Sequence, residues 1–420
     1  MAVTLELKDE RPKGGEWTDL VELFQRHTAN ASSPDIFKVW GAIMLVAGIL
    51  ERRVWIKNHV GPIYPNLYAL LTGTAGVGKS QVISKVAKQW KKTKTHDVLM
   101  AVAPDSMTTA ALIDTMNSSA RALTIDGRLY SYASLAIASS ELNTLMPTYD
   151  IPFATALIHF WDASDLPYSE RRRGNKGIGK EGEQLTIERG QISLLAGVTP
   201  AALSELITET AWKSGLMARI LVVFSDQEKE VYDGNYFPDP DEEKVGDLEA
   251  EKLLDRQCQK LGKLYGPIRV SEDVRKAIRD WTLAGLSPVP AHPRLETYSV
   301  RREVLFCKLL TISAVARTGK LFAELPDFDR ARKWMIELET AMPKVFTHMA
   351  GKNDNSLIQE VLFEVRATGE AISQEELQAL LAKKATVERI PKLLEAIDKL
   401  GLFTSVYCSD GEVRFKPKEP

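Results

Sequence analysis

The chain has 420 residues, 44% hydrophobic and 26% charged, the balance of a soluble globular protein, which excludes a fibrous or wholly disordered one. Its length favours two or three folding units over one core. With 54 Lys and Arg against 56 Asp and Glu the formal net charge is -2, so any nucleic-acid site has to be a local basic patch.

From the start of the chain, Met1 to Glu10 lacks the basic and apolar pattern of a signal peptide. The longest apolar run, Gly41 to Leu50, spans about half of the roughly 20 residues that a membrane helix needs. Cys258, Cys307 and Cys408 are far apart, and the histidines stand at no metal-ligand spacing, so neither a disulfide framework nor a transition-metal site is expected. A cytoplasmic location without membrane insertion follows as the expectation.

Residues 1–53 read as a helical segment with two helices. The first runs from Trp17 to His27, and the second is opened by Ser33 as cap and Pro34 at the first helical position. From Val54 to Phe224 short β-branched runs alternate with helical stretches, which predicts parallel βαβ units in an α/β core over 54–235. Inside it, Leu67 to Leu71 reads as a buried strand and Gln81 to Lys92 as a helix. Between them lies Gly73-Thr74-Ala75-Gly76-Val77-Gly78-Lys79-Ser80, a P-loop pattern. Glycines let such a loop turn its backbone N–H groups and a helix N-terminus toward phosphate oxygens. Lys79 is then expected to neutralise the β and γ phosphates of ATP, Ser80 to hold Mg²⁺, and Gln81 to border the nucleotide.

A hydrolytic site of this kind also needs a carboxylate at the end of a neighbouring strand. Leu135 to Glu141 supplies one, with Glu141 as candidate catalytic base and Mg²⁺ partner; the alternative is that Glu141 only caps the next helix. Ser140 stands where an aspartate is commonest. The basic run Arg171, Arg172, Arg173, Lys176 and Lys180, with glycines among it and strand-like flanks, predicts a β-hairpin suited to tracking a phosphate backbone; a solvated loop is the bland alternative. A strand over Gln191 to Gly197 leads to Thr199, either a contact to the γ phosphate or a routine helix cap. Gly215 to Arg219 runs into the strand Ile220 to Phe224, where Arg219 is either an arginine finger or half of a surface salt bridge.

Residues 236–351 turn helical and predict a lid or bundle. Over 352–420, helices from Ser356, Ser373 and Thr386 precede a two-stranded hairpin, the order of a winged helix. Glu388, Glu395 and Asp398 balance Arg389, Lys392 and Lys399 there, so protein contact or packing competes with duplex binding.

Taken together, Tyr64-Pro65-Asn66-Leu67-Tyr68 leading into the P-loop, the strand closed by Glu141, the hairpin before Thr199 and the run Gly215 to Arg219 resemble phage and mobile-element replication ATPases of the AAA+ class. The likeness is to superfamily 3 and primase-associated helicases and covers roughly residues 17–320. The resemblance implies a ring, usually a hexamer, with ATP at subunit interfaces and hairpins projecting into a channel that holds single-stranded DNA, in the company of other replication proteins. A DNA-packaging or processing ATPase and a nucleotide-gated helicase loader or scaffold are the other readings.

Overall fold

The computed structural model describes residues 2–5, 17–125, 127–146, 150–171, 184–207, 215–227, 244–290 and 292–349. Nearer the end it describes 357–358, 361–362, 364–366, 371–382, 385, 389–407 and 413–418. The fold is mixed α/β and divides into two units, Met1–Phe346 and Thr347–Pro420.

Six strands form the central sheet of the first unit: β1 (Ala2–Leu5), β2 (Tyr68–Thr72), β3 (Ala120–Ile125), β4 (Arg128–Ser139), β5 (Gly190–Val198) and β6 (Ile220–Phe224). Their spatial order is β1-β3-β4-β5-β2-β6. β4, β5, β2 and β6 run parallel, as the βαβ pattern predicts. β3 departs from it: it pairs antiparallel with β4 in a hairpin turned by Gly127 at φ 75°, so the sheet is mixed. β2, β5 and β6 are buried along their whole length, as strands covered on both faces must be.

Helix α1 (Leu20–His27) starts three residues later than the apolar periodicity suggests, because the Asp19 carboxylate accepts the Val21 N–H and fixes the cap there. Helix α2 (Asp35–Leu50) is apolar almost all round and is accordingly buried. It packs on α1, on the P-loop helix α3 (Lys79–Lys92) and on the sheet, and the Trp90 indole donates to the Leu45 carbonyl at 3.1 Å. α3 turns Val82, Ile83, Val86 and Trp90 inward, the spacing its sequence predicts.

The helices that the sequence assigns to a separate segment lie in the same unit as the sheet. α6 (Lys244–Leu261) packs on α1 and α2, and α7 (Arg302–Thr318) packs on α2, with α4 (Ile151–Asp162) and α5 (Pro200–Leu206) preceding them in the chain. The Lys308 ammonium of α7 is buried and donates to the Asn66 carbonyl and Oδ1, both at 2.8 Å, and to the Trp161 carbonyl at 3.2 Å. Asn66 in turn donates to the carbonyls of Phe160, Trp161 and Ile192. Asn66 thus ties the entry of β2 to α4, β5 and α7.

In the second unit, helices Gln374–Ala382 and Ile390–Lys399 precede an antiparallel hairpin of Phe403–Tyr407 with Val413–Pro417. Ile372 bridges Phe415 and adds a third backbone segment to that hairpin. Leu377, Leu381, Leu393 and Ile397 share its core with Val361 and Leu362.

Candidate nucleotide site

The strand register sets which residues meet. Val198 pairs with Thr72, Phe224 with Thr72, and Ala196 with Ser139, so β2, β5, β6 and β4 end together at one edge of the sheet. Open α/β sheets bind ligands outside these carboxyl ends.

The P-loop leaves β2 there. The Gly73 N–H donates to Val198 at 3.4 Å, and the Ser225 N–H donates to Thr72 at 3.0 Å, which fixes the loop's root between two neighbouring strands. Gly78 has φ 86°, a left-handed conformation, and a Cβ at that position would lie 2.3 Å from the Ser32 carbonyl oxygen. Thr74, Ala75 and Gly76 are exposed at the crown, whereas Val77 is buried and anchors the loop from below. The Lys79 side chain folds over the loop, its ammonium donating to the Gly73 and Thr74 carbonyls at 2.8 and 2.7 Å. Burial holds that ammonium below its ordinary pKa, and the Glu141 carboxylate pulls in the opposite direction. Ser80 is exposed on the first turn of α3, beside the helix N-terminus that favours negative charge. The Gln81 side chain is turned to Ser32, whose Oγ accepts from its amide at 3.1 Å.

Glu141 lies two residues beyond β4. The Ser139 hydroxyl donates to its carbonyl at 2.8 Å, and Gly197 of β5 leaves room for the turn, since a Cβ there would stand 2.4 Å from the Ser140 carbonyl oxygen. The carboxylate makes no capping hydrogen bond to the short helix Leu142–Leu145, and Glu141 is exposed. It is therefore free of the capping task and within electrostatic reach of Lys79. Thr199 does take the cap: its Oγ accepts the Ala202 N–H at 3.2 Å and opens α5, with Pro200 following. It nonetheless sits between the ends of β2 and β4. An exposed loop crown over a helix N-terminus, with Lys79, the Ser80 hydroxyl and the Glu141 carboxylate around it, is a donor set that fits a nucleoside triphosphate and one Mg²⁺. Among the described residues, no cluster of three His, Cys, Asp or Glu side chains could hold a metal on its own.

Arg219 is elsewhere. It precedes β6, whose other end meets the P-loop strand end, and its guanidinium is buried. Its Nε and Nη2 donate to Asp162 at 3.0, 2.9 and 2.7 Å, its Nη1 donates to the Gly215 carbonyl at 2.6 Å, and the group stands 5.3 Å from the Trp161 ring centre. This geometry favours the salt bridge over the finger, with a buried guanidinium where the sequence suggests a surface pair. The hairpin forms with Tyr168–Arg171 antiparallel to Gln184–Ile187, just before β5. Its base is packed, the Tyr168 ring lying 5.1 Å from Phe160 and 5.2 Å from His159. Arg172, Arg173, Lys176 and Lys180 lie outside the described residues, and of Arg171 only the strand position is described.

Ser32, Ser33 and Ser225 touch the loop, and the sequence singles out none of them for it. Ser32 and Ser33 precede a helix, where a serine reads as a cap, and nothing local reveals a partner 45 residues away. No described helix is long and apolar enough to cross a membrane. No protein-family model matches the chain, and no curated protein matches its sequence.

Proposed function

We propose that this chain is a Mg²⁺-dependent ATPase that drives DNA unwinding or translocation in phage-type DNA replication. The observation that carries the nucleotide part is the convergence of Lys79, Ser80, Glu141 and Thr199 at the carboxyl ends of three adjacent parallel strands. In this reading the loop from Gly73 to Ser80 cradles the phosphates, Lys79 offsets their charge, and Ser80 with Glu141 holds the metal. Held there by Ser80 and Glu141, Mg²⁺ would supply positive charge against the charge that develops on the phosphates. Glu141, not engaged as a cap, orients and deprotonates the attacking water, and the Thr199 hydroxyl contacts the γ phosphate.

The DNA part of the proposal rests on the resemblance and on the position of the hairpin directly before β5. We read residues 54–235 as an AAA+ core, the helices over 236–351 as its lid, and residues 352–420 as a winged-helix-like domain. The protein then works in the cytoplasm as a ring, with ATP at subunit boundaries and single-stranded DNA in the channel. One observation favours a second reading, a nucleotide-gated helicase loader: Arg219 is committed to Asp162 and does not reach outward.

Two variants test the site. Lys79→Ala should abolish hydrolysis and weaken ATP binding, while Glu141→Gln should keep ATP and lose turnover, both read by phosphate release and by nucleotide titration. Hydrolysis near the parent rate in Glu141→Gln would show that another acid activates the water. Strand displacement by the purified parent separates helicase from loader.

A further inference from the structure

The nucleotide loop is held from behind by residues that belong to the N-terminal helical segment. Ser33 precedes α2, yet the cap position of that helix is Pro34 and no side chain caps it. The Ser33 hydroxyl instead crosses to the loop and donates to the Gly78 carbonyl at 2.7 Å. That carbonyl also accepts the Gln81 N–H at 3.2 Å, so it is the point where the left-handed turn becomes the first turn of α3. A second link runs beside it, from the Gln81 amide to Ser32 Oγ. Ser32 and Ser33 are both 6% exposed, so water does not substitute easily for either interaction.

The two serines are themselves anchored. Ser33 N–H donates to the Ala31 carbonyl at 2.7 Å, and α2 carries the segment against α3 along its length. Phe37, on the first turn of α2, reaches within 3.6 Å of the space that a Cβ on Gly73 would fill, at the other end of the loop. The brace therefore holds the loop at Gly78 and the first turn of α3 at Gln81, with Phe37 near Gly73, and leaves the crown exposed.

We infer that Ser33 is a positioning residue for nucleotide binding: its hydroxyl fixes the Gly78 peptide so that the loop is organised before phosphate arrives. This inference rests on the nucleotide reading of Gly73 to Ser80. A preformed loop spends no binding energy on ordering, so the effect belongs to affinity and leaves the chemical step alone. Loss of the hydroxyl should weaken ATP about tenfold, the equivalent of one ordinary hydrogen bond.

The test is titration of the full chain with a fluorescent ATP analogue and Mg²⁺, together with steady-state turnover, for the parent, Ser33→Ala, Ser33→Thr and Lys79→Ala. Ser33→Ala should raise Kd and KM about tenfold with kcat within about twofold of the parent, and Ser33→Thr should restore affinity. Parent-like affinity in a folded Ser33→Ala, or a loss of kcat at unchanged affinity, overturns the inference. Where Ser33→Ala does not fold, Ser33→Cys carries the same comparison, because it fills the space that the hydroxyl leaves and weakens the donor; parent-like affinity there overturns the inference equally. Lys79→Ala separates the two levels. If it binds nucleotide like the parent, the nucleotide reading itself fails; if it loses nucleotide while Ser33→Ala does not, only the positioning role fails.

Discussion

At the scale of single residues, Arg219 shows how one side chain can satisfy two stories. Its place directly before a strand suits an arginine aimed at a neighbour, but in the folded chain the guanidinium is 5% exposed and bidentate on an Asp162 that is 39% exposed. A guanidinium already desolvated beside a carboxylate has to give up that pair before it can serve a phosphate elsewhere. The pair therefore predicts a stability phenotype. Asp162→Ala should destabilise the first unit by about 2 kcal/mol, less than a fully buried pair because Asp162 keeps part of its solvent. The measurement is a chemical-denaturation midpoint. A role in trans predicts something else: mixtures of inactive Arg219→Ala with inactive Lys79→Ala protein should recover activity once subunits exchange. Recovery, together with an unchanged midpoint for Asp162→Ala, would overturn the salt-bridge assignment.

At the scale of elements, what is legible in the sequence is whatever local chemistry encodes. The P-loop between an all-buried strand and an amphipathic helix is readable because glycine spacing and a 3.6-residue apolar period lie side by side in one short stretch of chain. The helix from Ser373 is readable for the same reason: the Ser373 hydroxyl accepts the Glu376 N–H at 3.1 Å while the Glu376 carboxylate accepts the Ser373 N–H at 2.8 Å, a reciprocal cap spelled by the sequence. What is not legible is long-range. The antiparallel β3–β4 hairpin looks like another βα step until pairing is known. Ser33 reads as a cap until Gly78 is brought beside it, and the buried Lys308 reads as a surface lysine until Asn66 and Trp161 supply three oxygens.

The same holds for the short hairpin Lys94–Thr95 and Val98–Leu99, whose turn residue His96 is a buried joint between elements far apart in the chain. Arg53 stands 3.3 Å from its Nε2 and donates to the Gly262 and Leu264 carbonyls at 2.7 and 2.8 Å, while Glu51 accepts from Tyr132 at 2.7 Å. Burial first, then the charges of Arg53, Arg121 and Lys263, push the His96 ring down to about 3 from 6.5. The folded chain thus refuses a proton that the unfolded chain accepts below about pH 6.5. Stability from this group is full above that pH and is lost as pH falls toward 3, at about 1.4 kcal/mol per pH unit for one proton. His96→Gln should flatten the acid limb by up to that slope between about pH 6 and pH 4, measured as denaturation midpoints against the parent. A parent-like slope would mean that His96 carries its proton in the fold.

At the scale of the whole molecule, charge decides where DNA could be held. A chain with a net charge of -2 has no long-range pull toward a polyanion, so the cluster Arg171 to Lys180 has to hold the strand alone if the channel reading is right. Its scaffold is suitable: the two arms are paired, the base is packed on Phe160 and His159, and the following strand β5 leads straight to Thr199 beside the P-loop. In the channel reading, β5 is the strand that joins the hairpin to the proposed nucleotide site. Each phosphate neutralised on a single strand releases counterions and adds about 0.7 to the log-log salt slope. Replacing Arg171, Arg173, Lys176 and Lys180 with glutamine should lower single-strand affinity for all sequences alike and flatten the salt dependence by roughly 0.7 for each phosphate no longer neutralised. ATP binding should survive, because the P-loop lies at the carboxyl end of the sheet and the hairpin leads into the amino end of β5. Fluorescence anisotropy of a labelled oligonucleotide over a salt series measures both quantities. Parent-like affinity at every salt concentration would move the DNA site away from this hairpin, and the second unit, with Arg389, Lys392 and Lys399 around its last helix, would be the next surface to neutralise.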